Sequence, residues 1–273
     1  MSTPAQSADT TRHEFHYLEY LCEAFGLGLF MVSASGFAVL LFHPASPVPR
    51  ALPNPMQRGA LMGLAMAMTA LINIYSPWGR RSGAHLNPSV TLTFLRLGKV
   101  GPADAAWYIA AQFLGGIGGM ILSWILFRDW IGHPSVNYVA TLPGPGGILV
   151  AFVAELLISF GLMLTVLNAA SRPQLAPLTG VLAATLVGVY IALEAPLSGM
   201  SMNPARTFGS AVVAWRWTAL WLYFTAPPAG MLLAAEVFGW GARRRAEYCA
   251  KMYHLPGDRC IFCEYRSVAR SLE

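Results

Sequence analysis

The chain has 273 residues, 55% of them hydrophobic and only 11% charged, with a mean hydropathy of +0.50 and a formal charge of +5 at pH 7. Soluble domains carry about 25% charged residues, so this composition excludes an ordinary soluble enzyme or binding module and indicates a membrane protein. The small basic excess reports contact with anionic headgroups, not with nucleic acid.

In chain order, residues 1–17 form a polar N-terminal tail without the basic leader and cleavage site of a removable signal. Apolar runs follow at 18–42, 59–77, 103–127, 147–170, 175–197 and 217–240. Each approaches or exceeds the ~20 residues that cross a hydrocarbon core of ~30 Å. Six spanning helices are predicted, with both chain ends on one side. Placing the termini in the cytoplasm puts thirteen of the 18 Lys and Arg residues there, as the positive-inside rule requires. The expected protein is integral to a plasma or inner membrane and surrounded by lipid.

Residues 43–55, rich in Pro, predict an outer loop, because Pro blocks helix continuation. Residues 131–146, rich in Gly and Pro, form a second outer loop and divide a channel-like region, 18–241, into halves at about 18–130 and 147–241. Residues 242–273 form a basic C-terminal tail in which Arg243-Arg244-Arg245 ends the last span in the headgroup zone. Within the first half, Gly-Gly-Ile-Gly-Gly at 115–119 predicts close helix packing.

One motif occurs in both halves. Ser82-Gly83-Ala84-His85-Leu86-Asn87-Pro88-Ser89 is echoed by Ser198-Gly199-Met200-Ser201-Met202-Asn203-Pro204-Ala205. Pro is favoured at the first helical position, where its missing N–H is no loss. Each copy therefore predicts a loop, an Asn cap and a short helix starting at Pro88 or Pro204. About ten residues at 1.5 Å each reach roughly 15 Å, half the bilayer core. Three spans per half force the second half to enter inverted, and inverted repeats put their site at the midplane. The fold class is thus an all-α membrane protein with six transmembrane helices and two re-entrant half-helices meeting N-terminus to N-terminus.

Abutting helix N-termini concentrate unpaired N–H groups and positive potential. As caps, Asn87 and Asn203 would accept from the following turn, leaving their amide NH2 groups to donate into a lumen. Arg206 is the only charge in either first turn, and an intramembrane arginine marks a polar pathway unless it snorkels to the surface. Glu23 and Glu155 occupy matching places in the first span of each half. Buried carboxylates need donors, so these are read as clamps on the re-entrant loops. A proton relay is the alternative, but no chain of acidic or His residues accompanies them.

These motifs, with Ala-Ala-Gln-Phe-Leu-Gly at 110–115, resemble the aquaporin or major intrinsic protein family over about residues 18–241. The resemblance implies passive conduction, no required cofactor and no enzyme activity, a homotetramer with one pore per subunit, and proton exclusion at Asn87, Pro88, Ser89, Asn203, Pro204 and Ala205. Ser89 stands where the family usually has Ala. It also implies an outer constriction at Arg206, Met200, Ile191 and, in the second span, Met66 or Ala67. Strict water channels of the family usually place His at the position of Ile191 and an aromatic in the second span. Glycerol-type members carry Asp at the position of Thr207 and a basic residue at that of Ala211, and lack the aromatic pair that Tyr223-Phe224 resembles. The balance favours water. The alternative is a broader facilitator of small neutral solutes such as glycerol, urea, ammonia or metalloid acids. An ion-coupled secondary transporter is the reading outside the channels.

The tail adds Cys249, His254, Cys260 and Cys263, with a Leu255-Pro256-Gly257-Asp258 turn between ligands. Disulfides are rare in the cytoplasm, and Cys-x2-Cys supplies half a tetrahedral zinc site. Zinc is therefore a candidate ligand that would order the tail against the cytoplasmic mouth; a basic tail with free thiols is the simpler reading. Cys22, in the first span, is read as a packing residue.

Overall fold

The computed structural model describes residues 15–241, 248–254 and 260–263, all of whose regular structure is helical. Six long helices and two short ones form the body: α1 Tyr17–Phe42, α2 Pro55–Tyr75, α3 Pro88–Arg96, α4 Pro102–Phe127, α5 Gly147–Ala170, α6 Thr179–Leu193, α7 Pro204–Ala214 and α8 Leu220–Gly241. Helices α1–α4 and α5–α8 repeat the same order of long, long, short, long. Four of the long helices, and Ala176–Leu193 with its leading 3-10 turn, have the length and apolarity to cross a membrane. The sixth, α8, has comparable length, 22 residues, but carries Pro227 and Pro228 in its interior and Glu236 near its end. Pro is tolerated inside intramembrane helices because neighbouring groups satisfy the freed carbonyls.

The spans differ from the sequence expectation by a few residues at several ends, and the fifth is shorter, Thr179–Leu193 against 175–197. The second span begins at Pro55, not 59, because Asn54 caps it by accepting from the Met56 N–H. The Pro-rich loop 43–55 contains one helical turn, Val48–Ala51, led by Pro47. Pro costs little there, since first-turn N–H groups have no intrahelical partner.

The burial pattern is inverted relative to a soluble protein. Glu23, Asn73, Gln112 and Glu155 are fully buried, while Leu64, Leu114, Leu149 and Leu157 are exposed on the outer faces. Only a hydrocarbon surround makes that favourable. Small residues set the helix contacts. A Cβ on Gly115 would lie 2.2 Å from the Ala24 carbonyl oxygen, and one on Gly119 2.5 Å from that of Gly28, so α1 and α4 touch backbone to backbone. Gly63 of α2 meets Gly188 of α6 in the same way, and Gly230 of α8 meets Leu156 of α5. Gly116 and Gly209 bring α4 against α7 across the boundary between the halves. The Gly-rich run at 115–119 is thus a packing surface, except Gly118, which faces open space.

This contrast yields a test. Gly115→Val should force α1 and α4 apart and lower stability by ~3 kcal/mol or more, whereas Gly118→Val should be near neutral. Thermal midpoints in detergent would compare them, and equal midpoints would contradict the backbone contact.

Candidate pore and its constriction

Before each short helix the chain leaves helical geometry in the same way. Gly83, Ala84 and Leu86 have φ of 94°, 54° and 50°; Gly199, Met200 and Met202 have 81°, 49° and 53°. A non-glycine residue in this region costs roughly 1–2 kcal/mol, so something must hold the loops. In the first half, the Glu23 carboxylate accepts from Ser82 Oγ (2.8 Å), the His85 N–H (3.0 Å), the Leu86 N–H (2.6 Å) and Gln112 Nε2 (2.8 Å). In the second, Glu155 accepts from Ser198 Oγ (2.7 Å), the Ser201 N–H (2.6 Å) and the Met202 N–H (2.7 Å). A tyrosine closes each set: Tyr108 Oη donates to the Ser82 carbonyl at 2.7 Å, and Tyr223 Oη to the Ser198 carbonyl at 2.6 Å.

The loops end at the two asparagines. Asn87 Oδ1 accepts from the Ser89 N–H, and Asn203 Oδ1 from the Ala205 and Arg206 N–H groups. Contrary to the expectation from capping alone, their amides are not left wholly free. Asn87 Nδ2 donates to the Met202 carbonyl and Asn203 Nδ2 to the Leu86 carbonyl, each at 2.7 Å. Each asparagine thus ties its helix to the opposite half's loop. An amide NH2 carries two hydrogens, so one per residue remains for the lumen. Pro88, Ser89, Pro204 and Ala205 are buried behind them.

Asn87 and Asn203 line a cavity of about 130 Å³ whose wall also includes Arg206, Met200 and Ile191. Arg206 Nη1 donates to Thr141 Oγ1 of the 131–146 loop, which Thr207 Oγ1 also contacts. The second-span positions expected at the constriction fall outside the residues that line this cavity. Neither Met66 nor Ala67 lies in this wall; Met66 is buried in the helix packing, and Ala67 faces Gly188 of α6. Ala70, about one turn on, and Phe30 of α1 line the cavity instead. A pattern count cannot fix helix rotation to within one residue, and each residue turns the face by about 100°.

Chain comparisons match this architecture. The family model described as major intrinsic protein matches residues 10–238. The chain belongs to the major intrinsic protein family. It is 29% identical over 242 residues to the probable aquaporin NIP7-1 of Arabidopsis thaliana, covering 87% of this chain and 86% of that protein. It is 33% identical over 200 residues to Aquaporin-5 of Rattus norvegicus, covering 70% of each. The aquaglyceroporin structure from Plasmodium falciparum superposes with a TM-score of 0.64 at 20% identity, covering 82% of this chain and 96% of that one, which shows the fold. Family members are channels, and this integral membrane protein is a passive channel with the aquaporin fold.

The tail cluster assembles as well. The ligand atoms of Cys249, His254, Cys260 and Cys263 all lie within 4.8 Å of one another. The turn at 255–258 and the arginines at 243–245 lie outside the described residues. Cys22 is a half-buried free thiol in α1. Motif reasoning alone does not assign Tyr108, Tyr223, Thr141 and Phe30 to these places; for the tyrosines a signal exists, since they follow Ser82 and Ser198 by 26 and 25 residues.

Removing the charge of one clamp tests its weight. Glu155→Gln replaces one of the two acceptor oxygens by an NH2 that must face either the Ser201 or the Met202 N–H, and should cost ~3 kcal/mol. Ser159→Ala, deleting a buried hydroxyl with no protein partner, should be near neutral in the same melting assay. A Glu155→Gln midpoint equal to that of the native chain would remove the clamp.

Proposed function

We propose that the chain conducts water in single file and passes small neutral solutes more slowly, with Asn87 and Asn203 as the central donors and Arg206, Met200 and Ile191 as the outer filter. The carrying observation is that both capping asparagines and Arg206 share one lumen. Water reorients at the amides by giving its lone pairs to the remaining N–H groups, while two helix N-termini raise the positive potential there. A proton or cation meets that potential with no carboxylate among the described residues lining the lumen. Arg206 adds a fixed charge, held by Thr141. Exclusion of protons and cations by an arginine or by the positive ends of half-helices is established physics for aquaporin-type pores, and both devices are present in this lumen.

The filter wall opposite Arg206 is apolar. It offers few hydrogen bonds and cannot reject a small neutral solute on polarity. Relatives named aquaporin and a neighbour named aquaglyceroporin both share the fold, so the solute range is set by this wall. Thr207 and Ala211, where glycerol-type members carry Asp and a basic residue, favour water. An ion-coupled transporter is disfavoured because Glu23 and Glu155 are committed to the loops.

In this reading both termini are cytoplasmic, four copies assemble with one pore each, and conduction needs no cofactor. The tail's Cys249, His254, Cys260 and Cys263 form a zinc site that conduction does not require. Stopped-flow shrinkage of proteoliposomes tests the channel: sorbitol gradients should drive water efflux faster than from empty liposomes, with glycerol and urea entering more slowly. Arg206→Val should raise solute entry severalfold relative to water. An unchanged solute profile would take Arg206 out of the filter.

A further inference from the structure

The tail does not hang free of the pore. The Ala250 carbonyl accepts from His85 Nε2 at 2.8 Å, in the loop that Glu23 holds. The Met252 N–H donates to the Gly83 carbonyl at 3.0 Å, and Lys251 Nζ to the Arg80 carbonyl at 2.8 Å. The Phe262 ring lies parallel to the His85 ring, with centroids 5.4 Å apart and an 8° tilt, and meets Tyr108 edge-on. Tyr253 packs on Tyr75 at the end of α2, and Tyr248 against Phe238 of α8. Ala250, Lys251, Met252, Cys260, Ile261 and Phe262 are all buried, none exposing more than 5% of its surface. Most telling, Met252 is part of the wall of the same cavity that Asn87 and Arg206 line. The described tail residues therefore pack on the Gly83–His85 loop, and Met252 forms part of the lumen wall.

A segment of two short pieces, 248–254 and 260–263, has no helix or sheet of its own large enough to fix this seat. What joins the pieces is the cysteine and histidine cluster. Cys249 Sγ lies 3.3 Å from Cys260 Sγ and 3.7 Å from Cys263 Sγ. Zinc–sulfur bonds of ~2.3 Å at tetrahedral angles separate two sulfurs by ~3.8 Å, so the thiols stand close to the edges of such a tetrahedron without being bonded to one another. His254 offers a ring nitrogen within 4.8 Å of the three sulfurs as a fourth donor. Three soft sulfurs and one imidazole in four-coordinate geometry select zinc, and four protein ligands make a structural site with no open position for catalysis.

We propose that Cys249, His254, Cys260 and Cys263 bind one zinc ion that folds the tail into a cap seated on the Gly83–His85 loop, so that zinc occupancy controls access to the pore from that side. This rests on the channel reading above and adds a regulator to it. With the ion bound, both tail pieces are held together and Met252 and Phe262 stay in place. Without it, three thiols and an imidazole no longer share a centre, and the side-chain cross-link between the two pieces is lost. Since a small metal site exists only in the folded arrangement, its binding free energy is spent on ordering the segment.

The test uses the full-length protein in proteoliposomes, loaded with zinc and then treated with a zinc chelator on both faces. The loaded protein should hold about one zinc per subunit, pass water slowly, and resist trypsin at the buried Lys251. Chelation should raise water flux severalfold and expose Lys251 to cleavage, and re-added zinc should reverse both. Cys260→Ser should lose zinc and behave as the chelated protein. Phe262→Ala should keep its zinc, because it removes no ligand, yet show raised flux and faster cleavage. Little or no zinc on the loaded native chain overturns the site. Bound zinc with flux and cleavage unchanged by chelation overturns the cap. Zinc-dependent protection of Lys251 with no flux above empty liposomes in either state would sink the channel reading while leaving the zinc-ordered tail standing.

Discussion

Backbone that leaves the helix at the middle of a membrane must find its hydrogen bonds inside the protein. In hydrocarbon no water replaces them, and each unpaired group costs several kcal/mol. The pore exists because two stretches of chain do leave the helix there, and Glu23 and Glu155 make that tolerable. Each carboxylate takes two consecutive loop N–H groups and a serine hydroxyl. That pins residues such as Leu86 and Met202 in left-handed geometry, which in turn aims the chain so that Asn87 and Asn203 can cap α3 and α7. The cross-bonds from each asparagine to the other half's loop then lock the two halves at one height. Position and polarity of the lumen descend from two buried carboxyl groups.

The repeat builds the frame, and the differences between its halves carry the specificity. Matching positions keep Glu23 with Glu155, Ser82 with Ser198 and Tyr108 with Tyr223. They diverge at Val90 against Arg206, where only one half places a charge in the lumen. They diverge again at His85 against Ser201. Both donate or accept toward a threonine of the following helix, Thr91 or Thr207, but only His85 has a second polar atom and a flat ring to offer beyond it. The inverted arrangement sends these two departures to opposite mouths. In the proposed reading one mouth acquires a filter, the other a docking surface.

Much of this is legible from residue order. Duplicated Ser-Gly and Asn-Pro boxes, three apolar runs per half and two matching glutamates define the half-helices, their caps and their clamps, because each depends on local geometry or on spacing along one chain. Rotation and long-range pairing are not legible in the same way. The second-span lining falls on Ala70, not on Met66 or Ala67, since helix phase is set by Gly63 meeting Gly188. Phe30 enters the lumen from α1 for the same kind of reason. The asparagine amides depart from the capping expectation because their partners, Met202 and Leu86, lie in the other half of the chain.

The tail shows why a loop already held from within is a good place to regulate. Glu23 and Tyr108 fix the Ser82–Leu86 segment from the protein side, which leaves the Gly83 carbonyl and His85 Nε2 as directed groups on the other. Gly83 has no side chain to fend off an incoming segment, and a Cβ there would stand 3.0 Å from Lys251 and 3.1 Å from Phe262. A carbonyl can only accept, so the contact with Ala250 fixes the proton on Nε2 of His85 and leaves Nδ1 to Thr91. The ring is then gripped between Phe94 and Phe262. Removing the tail would strip one face of a buried imidazole at the edge of the lumen without loosening the clamp behind it. If zinc controls the tail as proposed, opening at this mouth leaves the asparagine pair and the Arg206 side of the pore undisturbed.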